Sequence, residues 1–317
     1  MSRNERGGRY YSRDIHRKKP EVVDTDTSDP SWTGDMRIIN LIENTEGQRG
    51  CAFAHGLSFY VETEKHRLLL DLGPSGETLQ NARKLGVDLT EVDTVVLSHG
   101  HYDHSGGILP FADINDRAAI YMQEPAAGSF YSDRGKSAPD RYEYIGIDRR
   151  ILKLPQVRFL RGDHKIDDET ELFTVKKRSH ALPSANKRIL VRKGDNFQCD
   201  DFGHEQFLVI AQGQRRVLMS GCAHSGILSI LDAFCDKYRK EPDLVISGFH
   251  LMKKTEYKSD EIREIEDMAR ELKTYSTRFV TCHCTGIPAF DRMKAVMGDQ
   301  LEYVHSGEEI DVSFMGQ

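Results

Sequence analysis

The chain has 317 residues and a formal net charge of −6, with 38% hydrophobic and 30% charged residues. That balance allows a sizeable core under a polar surface and argues against a general nucleic-acid binder, whose domains are strongly basic. No run approaches 18 apolar residues, so no membrane-spanning helix is expected.

Residues 1–35 are polar, poor in aliphatics and without the apolar stretch of a secretory signal, and they read as a flexible tail. Six cysteines (Cys51, Cys199, Cys222, Cys235, Cys282 and Cys284) suggest neither a disulfide framework nor a Cys-x-x-Cys knuckle, so a cytoplasmic setting is expected. From Met36 to the end at 317 a single domain is predicted. It opens with strands over 37–42, 57–62 and 67–70, rich in Ile, Leu, Val and Tyr. A helix is predicted over 75–85, capped by Gly86, and then a strand over 92–97 apolar enough to be buried on both faces. A short strand is predicted at 120–123. Residues 128–150 show little periodicity and read as a long, lid-like loop. Strands at 157–160, 172–176, 188–191, 207–211 and 216–220 restore the rhythm. Amphipathic helices follow over 227–238 and 260–275, with strands at 244–247 and 279–282 between and after them. Strands followed by strand–helix–strand units predict an α/β layered architecture with helices outside the sheets.

Directly after the strand at 92–97 stands Ser98-His99-Gly100-His101-Tyr102-Asp103-His104-Ser105-Gly106-Gly107. Three imidazoles and a carboxylate within six residues form a donor set suited to zinc, iron or manganese. The glycines are read as giving the loop backbone freedom to turn these groups into one pocket.

This segment resembles the His-x-His-x-Asp-His signature of the metallo-β-lactamase superfamily. The upstream Leu68-Leu69-Leu70-Asp71-Leu72-Gly73 resembles that superfamily's strand ending in Asp-x-Gly. Ala54-His55-Gly56, Ser220-Gly221-Cys222-Ala223-His224, Gly248-Phe249-His250 and His283-Cys284-Thr285-Gly286 are similar to the branch around archaeal dihydropterin ribofuranosyl-aminobenzene phosphate synthase. The resemblance implies an αββα sandwich, two mixed sheets packed face to face with helices outside. It implies His99 and His101 at one metal and Asp103 and His104 at a second, with Asp71 supporting the site. It also implies His283 as third ligand of the second metal. His224, in a strand-to-helix turn, is the choice for the third ligand of the first, with His180 as a rival. His250 is a possible ligand. Cys222 stands where the superfamily often has a bridging Asp, so it is either a ligand or a packed thiol. Cys282 and Cys284 are expected in the core.

The expected activity is hydrolysis by a metal-activated hydroxide, with Asp103 orienting it and two divalent ions, zinc foremost, as cofactors. A phosphorylated or otherwise anionic small molecule is the expected substrate. That reading rests on the helix N-terminus after His224 as an anion site and on Tyr144, Arg149 and their basic neighbours in the loop. A transferase of the synthase type and a non-catalytic metal sensor are the alternatives.

Overall fold

Strands this rich in Leu, Ile and Val send apolar side chains to both faces, so each sheet needs cover on two sides. The structure, a computed structural model that describes residues 36–312, meets this need with two seven-stranded sheets. The tail expected over 1–35 lies outside the described residues. The first sheet runs Glu309–Ile310, Arg37–Ile42, Ser58–Glu62, Arg67–Leu70, Thr94–Val96, Ala119–Gln123, Val157–Leu160. The second runs Leu301–Tyr303, Arg278–Thr281, Leu244–Ser247, Arg215–Met219, Phe207–Gln212, Thr170–Phe173, His164–Lys165. Both are mixed: Arg67–Leu70 through Val157–Leu160 pair in parallel in the first, and Arg215–Met219 through Leu301–Tyr303 in the second.

Three buried clusters correspond to the three interfaces of a four-layer sandwich. Between the sheets lie Ile38, Phe59, Val61, Leu68 and Leu70 against Leu208, Ile210, Val217, Met219 and Ile246. Outside the first sheet, Leu79, Ala82, Ile108 and Phe111 of the helices Glu77–Lys84 and Ile108–Ala112 cover Leu69, Val95 and Ile120. Outside the second, helices Ile227–Tyr238, Ser259–Leu272 and Ile287–Met297 cover Val209, Leu218, Val245 and Phe279. The αββα architecture expected from the sequence is therefore the observed one. Among the described residues no helix is long and apolar enough to cross a membrane.

Three element expectations need correction. Residues 128–150 are not a loop throughout: Phe130–Asp133 and Tyr142–Tyr144 form a hairpin in a third, four-stranded sheet with Ile189–Lys193 and Asn196–Cys199. The second pairing partner of Phe130–Asp133, Ile189–Lys193, is some sixty residues away, which no local pattern can register. The strand expected at 172–176 is Thr170–Phe173. The helix expected over 260–275 begins at Ser259 and ends at Leu272, and the Lys258 N–H donates to the Glu261 carboxylate at 2.7 Å.

Candidate metal centre

Parallel strands point the same way, so the loops after their C-terminal ends gather at one edge of the sandwich. Asp71 follows Arg67–Leu70, His99 follows Thr94–Val96, His224 follows Arg215–Met219, His250 follows Leu244–Ser247 and His283 follows Arg278–Thr281. At this edge the backbone is held in the left-handed region at Asp71, Ala223, His250 and His283 (φ 62°, 54°, 50° and 51°). Non-glycine residues rarely adopt it, and such strain gathers at functional sites.

His99, His101 and His224 form one group whose ligand atoms lie within 4.8 Å of one another. Each of the outer two has its tautomer set by an acceptor. Ser98 Oγ donates to Asp71 Oδ2 (2.7 Å) and so accepts from His99 Nδ1 (2.8 Å). Asn186 Oδ1 accepts from His224 Nδ1 (2.9 Å), while its Nδ2 donates to the His224 carbonyl (2.7 Å). Both Nε2 atoms are left as lone pairs, 3.3 Å apart. Burial and neighbouring imidazoles hold His99 and His224 well below the usual histidine range, and His101 at about 3. All three are neutral, as a ligand must be.

A second group surrounds Asp103. Its Oδ2 lies 3.7 Å from His104 Nε2 and 3.4 Å from His283 Nε2. Asp71 Oδ2 accepts from His104 Nδ1 at 2.6 Å, and Asn44 repeats for His283 what Asn186 does for His224. Asn44 Oδ1 accepts from His283 Nδ1 (2.8 Å) and its Nδ2 donates to the His283 carbonyl (3.2 Å). Burial opposes charge on His104, but the carboxylates of Asp71 and Asp103 outweigh it and raise the imidazole to about 9. His101 Nε2 and His283 Nε2 are buried without a hydrogen-bond partner. A buried lone pair aimed at other lone pairs is costly unless something electron-poor joins them, so the donor set fits divalent cations.

Cys222 lies between the groups. Its Sγ is 3.3 Å from His104 Nε2 and falls in one cluster with His99 and His104 and in another with His224 and His250. His250 packs against His224 with its ring tilted (centroids 4.1 Å apart), and its Nδ1 is buried and without a hydrogen-bond partner. Cys282 is in the core between the sheets, as expected. Cys284 is not: His283–Thr285 is a 3₁₀ turn rather than strand, which swings Cys284 into a cluster with Cys222 and His283.

Several expected contributors sit elsewhere or are already engaged. His180 pairs with Asp232 (3.1 Å) and Glu271 (3.8 Å) at the surface. The backbone N–H groups of His224 and Ser225, expected to be free for an anion, donate to the buried carboxylate of Glu205 (2.7 and 2.8 Å). Tyr144 donates to the Ile147 carbonyl (2.9 Å), and Arg149 to the Ala127 carbonyl and Ser129 Oγ. Arg141 and Arg150 pair with Asp133 and Asp148. None of Gly100, Gly106 and Gly107 adopts a positive φ. Their value is space: a Cβ on Gly106 would lie 1.9 Å from the Pro74 carbonyl oxygen.

Four participants escaped the sequence reading. His204, held by Asp200 (2.9 Å), accepts the Gly100 N–H (3.0 Å) and packs, tilted, against Phe130. It enters from the N-terminal end of the antiparallel strand Phe207–Gln212, whereas His99, His224 and His283 follow the C-terminal ends of parallel strands. Asn44 and Asn186 gave no signal. His55, between a small residue and a glycine, did carry one.

Residues 53–181 match the family model of the metallo-β-lactamase superfamily. The chain is 29% identical over 284 residues to an uncharacterised protein of Methanocaldococcus jannaschii, MJ0448, covering 86% of this chain and 98% of that one. It is 28% identical over 301 residues to that organism's 7,8-dihydropterin-6-methyl-4-(β-D-ribofuranosyl)-aminobenzene-5′-phosphate synthase, covering 87% and 96%. Among solved structures it is similar to Tm1679, described as a metal-dependent hydrolase of the β-lactamase superfamily. There the TM-score is 0.71 at 28% identity, covering 88% of this chain and 99% of the other.

Proposed function

Because the chain belongs to the metallo-β-lactamase superfamily, we propose that it is a metal-dependent hydrolase of an anionic small molecule. Two divalent ions, zinc foremost with manganese or iron compatible, are its cofactors. The observation that carries this reading is the gathering of five imidazoles and the Asp103 carboxylate into two adjoining groups, with His101 Nε2 and His283 Nε2 buried and without a hydrogen-bond partner. His99, His101 and His224 would hold one ion, and Asp103, His104 and His283 the other. When bound, such ions acidify a water and polarise the bond that it attacks.

The chain's own groups do the positioning. Ser98, Asn186, Asp71 and Asn44 hold the imidazoles so that their Nε2 atoms face inward. Asp71 and Asp103 keep a proton on His104 until a cation displaces it, so uptake releases a proton below about pH 9. Five neutral imidazoles and one carboxylate leave most of the charge of two dications uncompensated. With the ions bound, that excess would favour an anionic substrate. The N-terminus of helix Ile227–Tyr238 is not needed for the purpose, since Glu205 already occupies the turn before it.

The test is metal analysis of the purified chain beside His101→Ala and Asp103→Ala, with hydrolysis of a simple phosphodiester followed in parallel. About two ions per chain are expected, with fewer ions and lost hydrolysis in both variants. A metal-replete chain with no stoichiometric ion would overturn the reading. A transferase reading is favoured by one observation, the alignment over 96% of the synthase from M. jannaschii. It is separated by turnover that waits on a second organic substrate instead of proceeding in water alone.

A further inference from the structure

We propose that His55 is a fourth protein ligand of the second cation position, beside Asp103, His104 and His283. The assignment rests on the two-ion reading above and extends it to a residue on a loop outside the Ser98–Gly107 segment.

Asp103 Oδ2 lies 3.4 Å from His55 Nε2, 3.7 Å from His104 Nε2 and 3.4 Å from His283 Nε2. Donors around a tetrahedral zinc at bonds of roughly 2.0–2.2 Å are separated by about 3.3–3.6 Å, so all three spacings are close to tetrahedral edges. The ligand atoms of His55, Asp103 and His283 lie within 4.8 Å of one another. His283 Nε2, fully buried, has no hydrogen-bond partner.

A surface histidine that drifts near a site would not be anchored to it, and His55 is. The Leu57 N–H donates to the Asp103 carbonyl (3.1 Å). The Gly56 N–H donates to Asn44 Oδ1 (3.3 Å), the same oxygen that accepts from His283 Nδ1 (2.8 Å). Between these bonds Gly56 leaves no room for a side chain, since a Cβ there would sit 2.6 Å from the Asp103 carbonyl oxygen and 2.4 Å from Pro74 Cδ. The backbone next to His55 is thus tied directly to Asp103 at Leu57 and, through Asn44, to His283 at Gly56. The side chain of His55 is 49% exposed, whereas those of His104 and His283 are fully buried. His55 therefore forms the solvent face of the second position. It is the donor that an incoming substrate oxygen would displace.

The experiment is titration of the metal-free full chain with cobalt(II), read by its visible spectrum, for the natural chain, His55→Ala and His55→Cys. In the natural chain the second equivalent should give the intense bands of a four-coordinate ion. In His55→Ala it should bind roughly 10–100-fold more weakly, with the faint spectrum of a water-rich shell, while the first equivalent is unchanged and reports an intact fold. His55→Cys should recover affinity and add a sulfur-to-cobalt charge-transfer band. Two equivalents bound by His55→Ala with the natural affinity and spectrum would overturn the assignment alone. A natural chain that takes up a single ion would overturn the two-ion reading, and this assignment with it.

Discussion

Asp71 serves three donors with two oxygens: the Ser98 N–H (2.7 Å), Ser98 Oγ (2.7 Å) and His104 Nδ1 (2.6 Å). Ser98 Oγ in turn receives His99 Nδ1, so one buried carboxylate sets the tautomers of a ligand in each group. Its backbone is left-handed at φ 62°, a conformation that Asn tolerates almost as well as Asp, which makes Asp71→Asn a clean substitution. The variant should keep its fold but present an N–H where His104 needs an acceptor. Metal affinity at the Asp103–His104 position should fall about 10–100-fold, measured by competition with a chromophoric chelator. Unchanged affinity would mean that the imidazoles are oriented by packing alone. Of the residues at this scale, His99, His101, Asp103 and His104 could be read from the sequence because they are contiguous. Asn44 and Asn186 could not, since an asparagine gains its meaning only from the histidine that it faces, 239 or 38 positions away.

At the scale of elements, the segment after Thr94–Val96 is short helices rather than open loop, Tyr102–Ser105 and Ile108–Ala112. They lie backbone to backbone on residues 72–75. A Cβ on Gly106 would stand 1.9 Å from the Pro74 carbonyl oxygen and one on Gly107 2.2 Å from that of Leu72. Neither contact is with a flexible side-chain end, so the backbone itself must move. Gly106→Ala should cost about 1–3 kcal/mol and weaken metal uptake by displacing Asp103 and His104. Denaturant unfolding should show a lower midpoint at unchanged slope. A variant as stable as the natural chain would refute the close approach. The hairpin of Phe130–Asp133 and Tyr142–Tyr144 gives the same lesson from the other side. Its pairing with Ile189–Lys193, and the bonding of the Ile145 carbonyl to Tyr102 N–H (2.9 Å), are relations between distant segments.

At the scale of the molecule, the two sheets are joined at the turn between Ser58–Glu62 and Arg67–Leu70. His66 Nδ1 meets Asp93 (2.8 Å) in the first sheet's approach to Thr94–Val96, and Nε2 meets Asp167 (3.0 Å) beside the second sheet. Thr63 donates to Glu169 (2.6 Å) and Lys65 pairs with Asp168 in the same place. The hydrogen bond to Asp93, with further help from Asp167, raises His66 to about 9 from 6.5 against the cost of burial. A folded-state value above the unfolded one contributes stability in full below about pH 6.5 and loses it as pH rises through about 9. The carboxylates of Asp93 and Asp167, held below their ordinary range, lose theirs only in acid. With Asp93 partly exposed, a contribution on the order of 1–2 kcal/mol is expected after solvent screening. His66→Ala should therefore lower the melting temperature clearly at pH 6 and much less at pH 9.5. An equal loss at both would show that the side chain matters by packing alone.

The sequence by itself determined the layered fold class, most strands and helices, and the donors of the Ser98–Gly107 segment. Periodicity and short-range spacing are properties of neighbours along the chain, and the wrapping of helices around apolar strands follows from them. The tertiary structure decided which histidines join those donors. It excluded His180, admitted His204 and His55 to the surroundings of the site, turned Cys284 toward Cys222 and filled the expected anion site with Glu205. Each of these depends on which strand ends share an edge. Sheet order sets that edge, and the packing of the two sheets brings to it segments more than a hundred residues apart, as His99 and His224 are.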